Sequence, residues 1–222
     1  MRLFAAVWPP DDVLDHLDLA LAVVRRGPAS QDDGVRWSAR ETWHLTTAFY
    51  GTVPDAATDA LGADLAGVAA GTEPFDLQLR GAGVFAHRTL WVGAGGDVAD
   101  LLAVAAGARV VGEEHGARPD PRVRHRPHLT VGRARPTARP SRRTSRPPAA
   151  DGRPGGRGPG RSASPDRHEL DPATVFEQAL AVYEGPVWRV EDLTLVESRP
   201  GEGRGGGPLY VTVATYPLGT RH

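Results

Sequence analysis

The tripeptide His-Leu-Thr occurs twice in the chain, at His44 to Thr46 and again at His128 to Thr130. Both copies lie in segments whose composition is typical of β-strands, and residues two apart in a strand project from the same face. Each histidine is therefore expected to share a face with its threonine, while the leucine between them enters the core. If the two faces meet across a cleft, two imidazoles and two hydroxyls surround one ligand.

This set of groups suits phosphodiester chemistry. An imidazole is a base when neutral and an acid when protonated, both near physiological pH. On opposite sides of a phosphorus atom, His44 and His128 are suited to activating a water and protonating the leaving oxygen, each contributing about 10²–10⁴-fold. The hydroxyls of Thr46 and Thr130 can donate hydrogen bonds to the non-bridging oxygens, where charge accumulates. A ribose 2′,3′-cyclic phosphate fits because its ring is strained and contains the leaving group.

The composition excludes several other kinds of site. The 222 residues include no cysteine and no lysine, so all 26 basic residues are arginine. Thiol nucleophiles, disulfides, cysteine-bound metals, Schiff-base lysines and P-loops are thereby excluded. No apolar run approaches the roughly 20 residues that span a bilayer, and no credible targeting signal is present. We expect a cytoplasmic protein with no membrane contact.

Apolar periodicity and turn residues predict strands alternating with helices. Helices are expected to begin at Pro9-Pro10-Asp11, at Pro54-Asp55, at Asp97 as N-cap, and at Asp171-Pro172. Strands are expected over 3–8, 35–37, 43–50, 75–79, 89–92, 128–132, 188–197 and 209–216, with Gly81 and Gly83 joining the fourth to the fifth. Each tripeptide follows a helix and an irregular stretch and precedes another helix, which is typical of an internal duplication.

Charge is distributed unevenly along the chain. Between Arg118 and Arg167 there are 14 arginines and three acidic residues, whereas the remainder has 12 arginines and 24 acidic residues. Residues 134–170 hold nine arginines, seven prolines and five glycines, which bury too little apolar surface to offset their ordering entropy. We predict a single bilobal domain over 1–222, interrupted by a disordered insertion at 134–170. The basic block indicates either an anionic partner or a solvated disordered stretch.

Several segments can be compared with a known family. They are Arg2 to Ala6, Trp43 to Gly51, Phe85 to Gly93, Pro127 to Arg133, Leu193 to Ser198 and Tyr210. Together they resemble the 2H phosphoesterase superfamily, and within it the RNA 2′,3′-cyclic phosphodiesterases of the LigT-like branch. Thr47-Ala48 and the 134–170 insertion depart from that family's pattern.

The resemblance implies a role for each matching residue. His44 would be the proton donor to the leaving 3′ oxygen, and His128 the proton acceptor that activates water, so that the product is a 2′-phosphomonoester. Thr46 and Thr130 would hold the phosphate. Arg133 matches a basic residue that would neutralise phosphate charge in substrate binding.

Two positions near the second tripeptide need separate comment. Strict alternation turns Arg133 away from Thr130, so a bulge or strand end near Gly132 is needed to aim it at the site. His125 and His128 form a His-x-x-His pair, but no acidic ligand stands at a clear spacing, and positions three apart in extended chain face opposite ways. We therefore expect no metal and no cofactor.

These observations predict an α+β fold. Two similar lobes, each an antiparallel sheet backed by helices, would face one another with the tripeptides lining the cleft. The expected substrate is RNA with 2′,3′-cyclic phosphate ends or a cyclic nucleotide, and the expected state is a monomer. Two alternatives remain open: RNA end joining at a 2′-phosphate or cyclic end, and a non-catalytic RNA-binding protein that uses the arginine-rich segment.

Overall fold

The computed structural model describes residues 1–26, 34–117, 126–135 and 171–219. In chain order the elements of these residues are β1 (Arg2–Val7), α1 (Asp11–Arg26), β2 (Val35–Trp37), a 3₁₀ turn (Arg40–Thr42), β3 (Leu45–Thr52), α2 (Asp55–Ala70), β4 (Phe75–Phe85), β5 (Thr89–Gly96), α3 (Val98–Glu114), β6 (His128–Ala134), α4 (Pro172–Ala179), β7 (Glu184–Val190), β8 (Asp192–Arg199), a second 3₁₀ turn (Arg204–Gly206) and β9 (Leu209–Pro217).

The strands form one antiparallel sheet in the order β7-β4-β5-β6-β3-β1-β8-β9, and β2 pairs with the far part of β6. The sheet has two halves, β7-β4-β5-β6 and β3-β1-β8-β9, which meet where β3 pairs with β6. Helices α1 and α4 pack on the first half, and α2 and α3 pack on the second. The predicted α+β fold of two similar lobes is confirmed, and the two lobes share one continuous antiparallel sheet.

The helices form where the sequence places apolar residues on one stripe. In α1 the buried side chains recur at helical spacing from Val13 to Val24, and they pack towards β7. Acidic residues occupy its first turn and Arg25 and Arg26 its last, which complements the helix dipole. In the described ranges, no helix is long and apolar enough to cross a membrane.

The single strand predicted over 188–197 is wrong. The structure has two strands there, β7 and β8, separated at Glu191. β7 pairs with β4 in one half of the sheet, whereas β8 pairs with β1 in the other. The chain therefore crosses between lobes at Glu191. The apolar pattern hides this break because Val190 and Leu193, on either side of it, are both buried.

The connection predicted at Gly81 and Gly83 is also wrong, because β4 continues through both glycines to Phe85. Gly81 has a φ of +61° and lies at a shift in the strand register, so it marks a bulge and not a turn. The turn follows at Ala86 and His87, which have φ values of 49° and 52°. Such conformations are uncommon outside glycine.

Asp97 precedes α3 as predicted, but its side chain does not cap the helix. The carboxylate instead accepts a hydrogen bond from the backbone N–H of Asp76, at 3.0 Å. This contact joins the start of α3 to β4, so a residue type that favours helix caps serves here to hold two elements together.

The start of the predicted insertion lies within the sheet. Ala134 is the last residue of β6, is buried and pairs with Val35 in β2. The disorder predicted for 134–170 is therefore wrong at its first residue, and residues 136–170 lie outside the described residues, as does His125. In the described part of the chain, no three histidine, aspartate or glutamate side chains cluster as a metal site would require.

Candidate active site

A cavity of about 810 Å³ lies where the two halves of the sheet meet. The five residues predicted for the site all line it: His44, Thr46, His128, Thr130 and Arg133. The structure therefore brings together two segments that are 84 residues apart in the sequence.

The pairing of β3 with β6 explains this convergence. Leu45 lies directly opposite Leu129, and both leucines are almost fully buried. Their neighbours in each strand face the other side of the sheet, which is the cavity side. Because directly opposed residues have Cα atoms roughly 4.5–5.5 Å apart, the two tripeptides are held side by side at the backbone.

Both imidazoles are oriented by the same hydrogen bond. The Nδ1–H of His44 donates to the carbonyl oxygen of Thr42, and that of His128 donates to the carbonyl oxygen of Arg126, each at 2.8 Å. A carbonyl oxygen only accepts, so Nδ1 carries a proton in both rings. Nε2 is therefore the ring nitrogen that carries no proton when either ring is neutral.

Aromatic rings enclose His44. The ring centroids of Phe4, Trp8 and Tyr210 lie 4.9, 5.0 and 5.2 Å from its own. Burial lowers the pKa of His44 to about 4; the hydrogen bond to Thr42 opposes this shift, and the charge of nearby His128 adds to it. The ring is thus neutral at pH 7.

Thr46 is in direct contact with the first imidazole. Its Oγ1 lies 2.9 Å from His44 Nε2. With Nδ1 protonated and the ring neutral, the hydroxyl donates to Nε2. This bond holds the ring in place until a ligand displaces the hydroxyl or the ring gains a proton.

His128 lies in a more open position. Phe85 meets its ring edge-on at 4.9 Å between centroids, and Trp91 lies at 6.3 Å. Phe85 also stacks on Trp91, and the guanidinium of Arg126 lies 4.6 Å from the centre of the Trp91 ring. Phe85 is 37% exposed, so the aromatic side of His128 is partly open to solvent.

A bulge in β6 turns Arg133 towards the cavity. Leu90 pairs with Gly132 and Trp91 with Thr130, so Val131 is an extra residue in β6. Val131 and Gly132 are consequently both buried, and the alternation shifts by one residue. Arg133 therefore lies on the same side as Thr130, as the sequence required.

The sequence analysis missed other residues that line the cavity, above all Arg36, Arg88, Arg135 and Arg204. None belongs to a repeated motif, so spacing gave no signal for them. Arg36 lies in a three-residue strand and Arg204 in a glycine-rich loop, and only the folded chain brings them together.

The sequence of the chain can be compared with those of known proteins. Residues 7–91 match the family model described as LigT like Phosphoesterase, a range that contains the first tripeptide and ends before the second. The match therefore covers less than half of the chain, and the second tripeptide lies outside it. No curated protein sequence matches the chain.

Solved structures share this LigT-like fold over the whole chain. TT0787 of Thermus thermophilus has a TM-score of 0.65 and 22% identity, and each chain is covered completely. E. coli LigT complexed with 3′-AMP has a TM-score of 0.63 and 22% identity, covering 99% of this chain and 98% of that one. E. coli LigT complexed with NADP⁺ has a TM-score of 0.63 and 20% identity, with the same coverage.

Proposed function

We propose that the protein hydrolyses 2′,3′-cyclic phosphodiesters of RNA ends or nucleotides to 2′-phosphomonoesters. One observation carries this proposal: His44 and His128 line a single cavity, and each donates Nδ1–H to the carbonyl two residues before it. Two imidazoles that both direct Nε2 to one ligand are what in-line displacement at phosphorus requires.

In the proposed step, His128 Nε2 takes a proton from water as the water oxygen bonds to phosphorus. The bond from phosphorus to the 3′ oxygen breaks, and that oxygen takes the proton carried by His44 Nε2. The 2′ oxygen keeps the phosphoryl group. The hydroxyls of Thr46 and Thr130 stabilise the charge on the non-bridging oxygens. Arg133, farther along β6, adds positive charge for binding the substrate. Each turnover consumes one water and restores both rings after one proton exchange with solvent.

The low pKa of His44 sets a condition on this mechanism. A proton donor must carry its proton, but burial keeps the ring neutral at pH 7 in the ligand-free protein. A phosphodiester anion beside the ring favours the imidazolium, because an opposite charge within about 4–6 Å shifts a pKa by roughly 1–3. The substrate itself therefore promotes the protonation that the donor role needs.

Nucleotide ligands of similar structures support the choice of substrate class. E. coli LigT has been solved in complexes with 3′-AMP and with NADP⁺, and both ligands are ribonucleotides. A ribose carrying a phosphate at the 2′ or 3′ position fits the two imidazoles and two hydroxyls that line the cavity of this chain.

The experiment is incubation of the purified protein with adenosine 2′,3′-cyclic phosphate, followed by separation of the 2′- and 3′-monophosphates. Wild type is expected to release only the 2′ isomer, before and after treatment with EDTA. His44→Ala and His128→Ala are each expected to reduce turnover about 10²–10⁴-fold. His115→Ala is the matched control, because His115 pairs with Asp64 outside the cavity.

Three results would contradict the proposal. Release of the 3′ isomer would require the other bond to break, and loss of activity in EDTA would require a metal. Retention of activity in both histidine variants would place the chemistry elsewhere. Circular dichroism and thermal unfolding of each variant show whether an inactive variant is still folded.

A further inference from the structure

The cavity is lined by more positive charge than one phosphodiester needs. Arginines contribute from four separate segments of the chain, and among the described residues that line the cavity there is no aspartate or glutamate. These arginines are Arg36, Arg88, Arg133, Arg135 and Arg204. A cyclic phosphodiester carries a single negative charge, so most of this positive charge has no counterpart in the reacting group.

Five arginines elsewhere in the described residues form ion pairs with acidic side chains. Arg25 pairs with Asp18 at 2.6 Å, and Arg189 pairs with Asp76 at 3.2 Å. Within the described ranges, by contrast, no acidic side chain forms an ion pair with the cavity residues Arg36, Arg88, Arg133 or Arg204. The acidic residues that the structure describes thus do not line this cavity, although the chain outside 118–167 has twice as many acids as arginines.

The strand register brings three of these arginines together. Arg36 of β2 lies directly opposite Arg133 of β6, and Thr89 of β5 lies opposite Arg133 on the other side. Arg88 precedes Thr89, and its carbonyl oxygen accepts a hydrogen bond from the N–H of Ala134 at 2.7 Å. Like charges directly opposite one another destabilise a sheet. An anion bound among the three guanidinium groups removes that cost.

This cluster lies to one side of the reacting groups. Arg133 is three residues beyond Thr130 in β6, or about 10 Å along the strand at roughly 3.3 Å per residue. Arg36 and Arg88 flank the Arg133 end of β6, whereas β3, which follows His44, pairs at Leu129. A ligand that fills both regions needs two anionic groups separated by part of its own framework.

Arg36 is already positioned for such a ligand. Its Nη2 donates to the carbonyl oxygen of Gly205 at 3.1 Å, which connects β2 to the glycine-rich loop between β8 and β9. A guanidinium has five N–H donors in a fixed plane, so this bond orients the group and leaves donors for an anion. A guanidinium can bind one phosphate through two parallel N–H···O bonds, which makes arginine well suited to phosphate.

We propose that Arg36, Arg88 and Arg133 form a second phosphate subsite that binds the 5′-phosphate of the terminal nucleoside. The choice of the 5′ group rests on the proposed function, because that group is the nearest other phosphate on the ribose that carries the reacting 2′,3′ ester. In a mononucleotide it is a monoester, and in RNA it is the diester that links the previous nucleotide. The subsite makes the protein selective for phosphorylated nucleotides and RNA ends over simple nucleoside cyclic phosphates.

The first test measures binding by calorimetry at fixed ionic strength, with adenosine 2′-monophosphate and adenosine 2′,5′-bisphosphate as probes. Wild type is expected to bind the bisphosphate about 10–100-fold more tightly, since a hydrogen bond to a charged group contributes roughly 1.5–3 kcal/mol. Arg36→Gln and Arg88→Gln are expected to reduce that ratio to about 3-fold or less. Arg109→Gln is the matched control, because it removes the same charge from α3, outside the cavity.

The proposal is overturned if wild type binds the two probes equally, or if Arg109→Gln reduces the ratio as much as Arg36→Gln does. Thermal unfolding of each variant establishes that the fold is kept. Glutamine is too short to keep the bond from Nη2 to the Gly205 carbonyl oxygen, so Arg88→Gln, which leaves that bond in place, separates loss of charge from loss of the loop contact.

A second measurement identifies the source of the 5′ group and separates this proposal from the hydrolysis. The kcat/KM values are compared for adenosine 2′,3′-cyclic phosphate, its 5′-phosphorylated form and a dinucleotide with a cyclic end. A gain for either of the last two supports the subsite, and a gain for the dinucleotide identifies the internucleotide diester. Turnover of all three at one rate overturns the subsite and leaves the hydrolysis standing. Preferential binding of the bisphosphate without any turnover overturns the hydrolysis and leaves the subsite standing.

Discussion

The rings of His44 and His128 make the same hydrogen bond to the backbone but lie in different surroundings. Each ring donates Nδ1–H to the carbonyl of the residue two before it, at 2.8 Å in both cases. His44 is enclosed by Phe4, Trp8 and Tyr210, and its pKa is lowered to about 4. Around His128, the aromatic contacts with Phe85 and Trp91 leave the ring partly exposed.

The two histidines show that backbone geometry and side-chain packing contribute separately to a duplicated site. The repeated strand geometry determines where the imidazoles lie and which nitrogen of each donates to the backbone. The side chains packed around His44 determine how readily that ring holds a proton, because burial disfavours the charged form. A repeated backbone geometry can therefore place two histidines in different surroundings without any change in the motif.

The same asymmetry extends to the walls of the cavity. Aromatic side chains from β1 and β9 surround His44, whereas arginines of β2 and β6 line the opposite end. The arginine end would attract an anion, whereas the aromatic end buries His44 and lowers its pKa.

The largest expected effect comes from removing both imidazoles together. His44→Ala and His128→Ala each remove one partner of a single step, so the double variant is expected to lose little more than the worse single variant. The measurement is single-turnover kinetics on adenosine 2′,3′-cyclic phosphate for the wild type, both single variants and the double variant. Losses that add on a logarithmic scale would mean that the two rings act in separate steps.

Much of this site could be predicted from the sequence because it depends on local rules. Two-residue periodicity placed His44 with Thr46 and His128 with Thr130 on shared faces, and the structure brings both pairs to one cavity. The need for a bulge beside Arg133 also followed from periodicity, and the structure contains that bulge at Val131.

Other features depend on contacts between distant parts of the chain. The low pKa of His44 arises from rings contributed by β1 and β9, and no local pattern reports on these. Arg36 faces Arg133 only because β2 pairs with β6. The strand break at Glu191 has the same cause, since β7 and β8 find their partners in different halves of the sheet.

The pKa difference predicts a loss of stability in acid. The pKa of His44 is about 4 in the folded protein and near 6.5 when unfolded, so the unfolded state binds the proton more tightly. The contribution of the neutral ring is complete above pH 6.5 and is lost as the pH falls towards 4, by about 3 kcal/mol. His44→Phe should remove this dependence, as measured by urea unfolding between pH 4 and 8.

His128→Phe is the matched control for that measurement, because it alters the more open ring. If the wild type and His44→Phe lost the same stability between pH 6.5 and 4, His44 would not be the neutral group responsible for the loss. An NMR titration gives an independent result: the pKa of His44 should lie near 4 without ligand and rise by about 1–3 with adenosine 2′-monophosphate bound.

Substitution of either threonine should reduce kcat/KM, but only the substitution of Thr46 should change the pKa of His44. Thr46→Val and Thr130→Val each remove a donor to the phosphate, so each should reduce kcat/KM by about 10–100-fold. Only Thr46 contacts His44 Nε2, so only Thr46→Val should alter the pKa of that ring in the ligand-free protein. The measurement pairs steady-state kinetics with NMR titration, and Thr46→Ser should restore both values. An equal change in the His44 pKa for the two valine variants would mean that the Thr46 contact is not specific.

The smallest effect concerns the wall beside His128. A methyl group added at Gly83 would overlap the ring of Trp91, which supports Phe85 and with it the edge contact to His128. Gly83→Ala should therefore displace this wall, reduce stability by about 1–3 kcal/mol and lower kcat/KM a few-fold. Stability is measured from urea unfolding curves, and kcat/KM is measured on the same preparations.

Gly95→Ala is the matched control for that change. It lies in β5 of the same hairpin, but an added methyl group meets the flexible side chain of Arg80, at 3.3 Å, which can move aside. The control should retain nearly full activity and stability. Equal losses in the two variants would indicate a general cost of alanine in this hairpin. A loss confined to Gly83→Ala indicates instead that the position of Trp91, through its stacking on Phe85, controls the ring of His128.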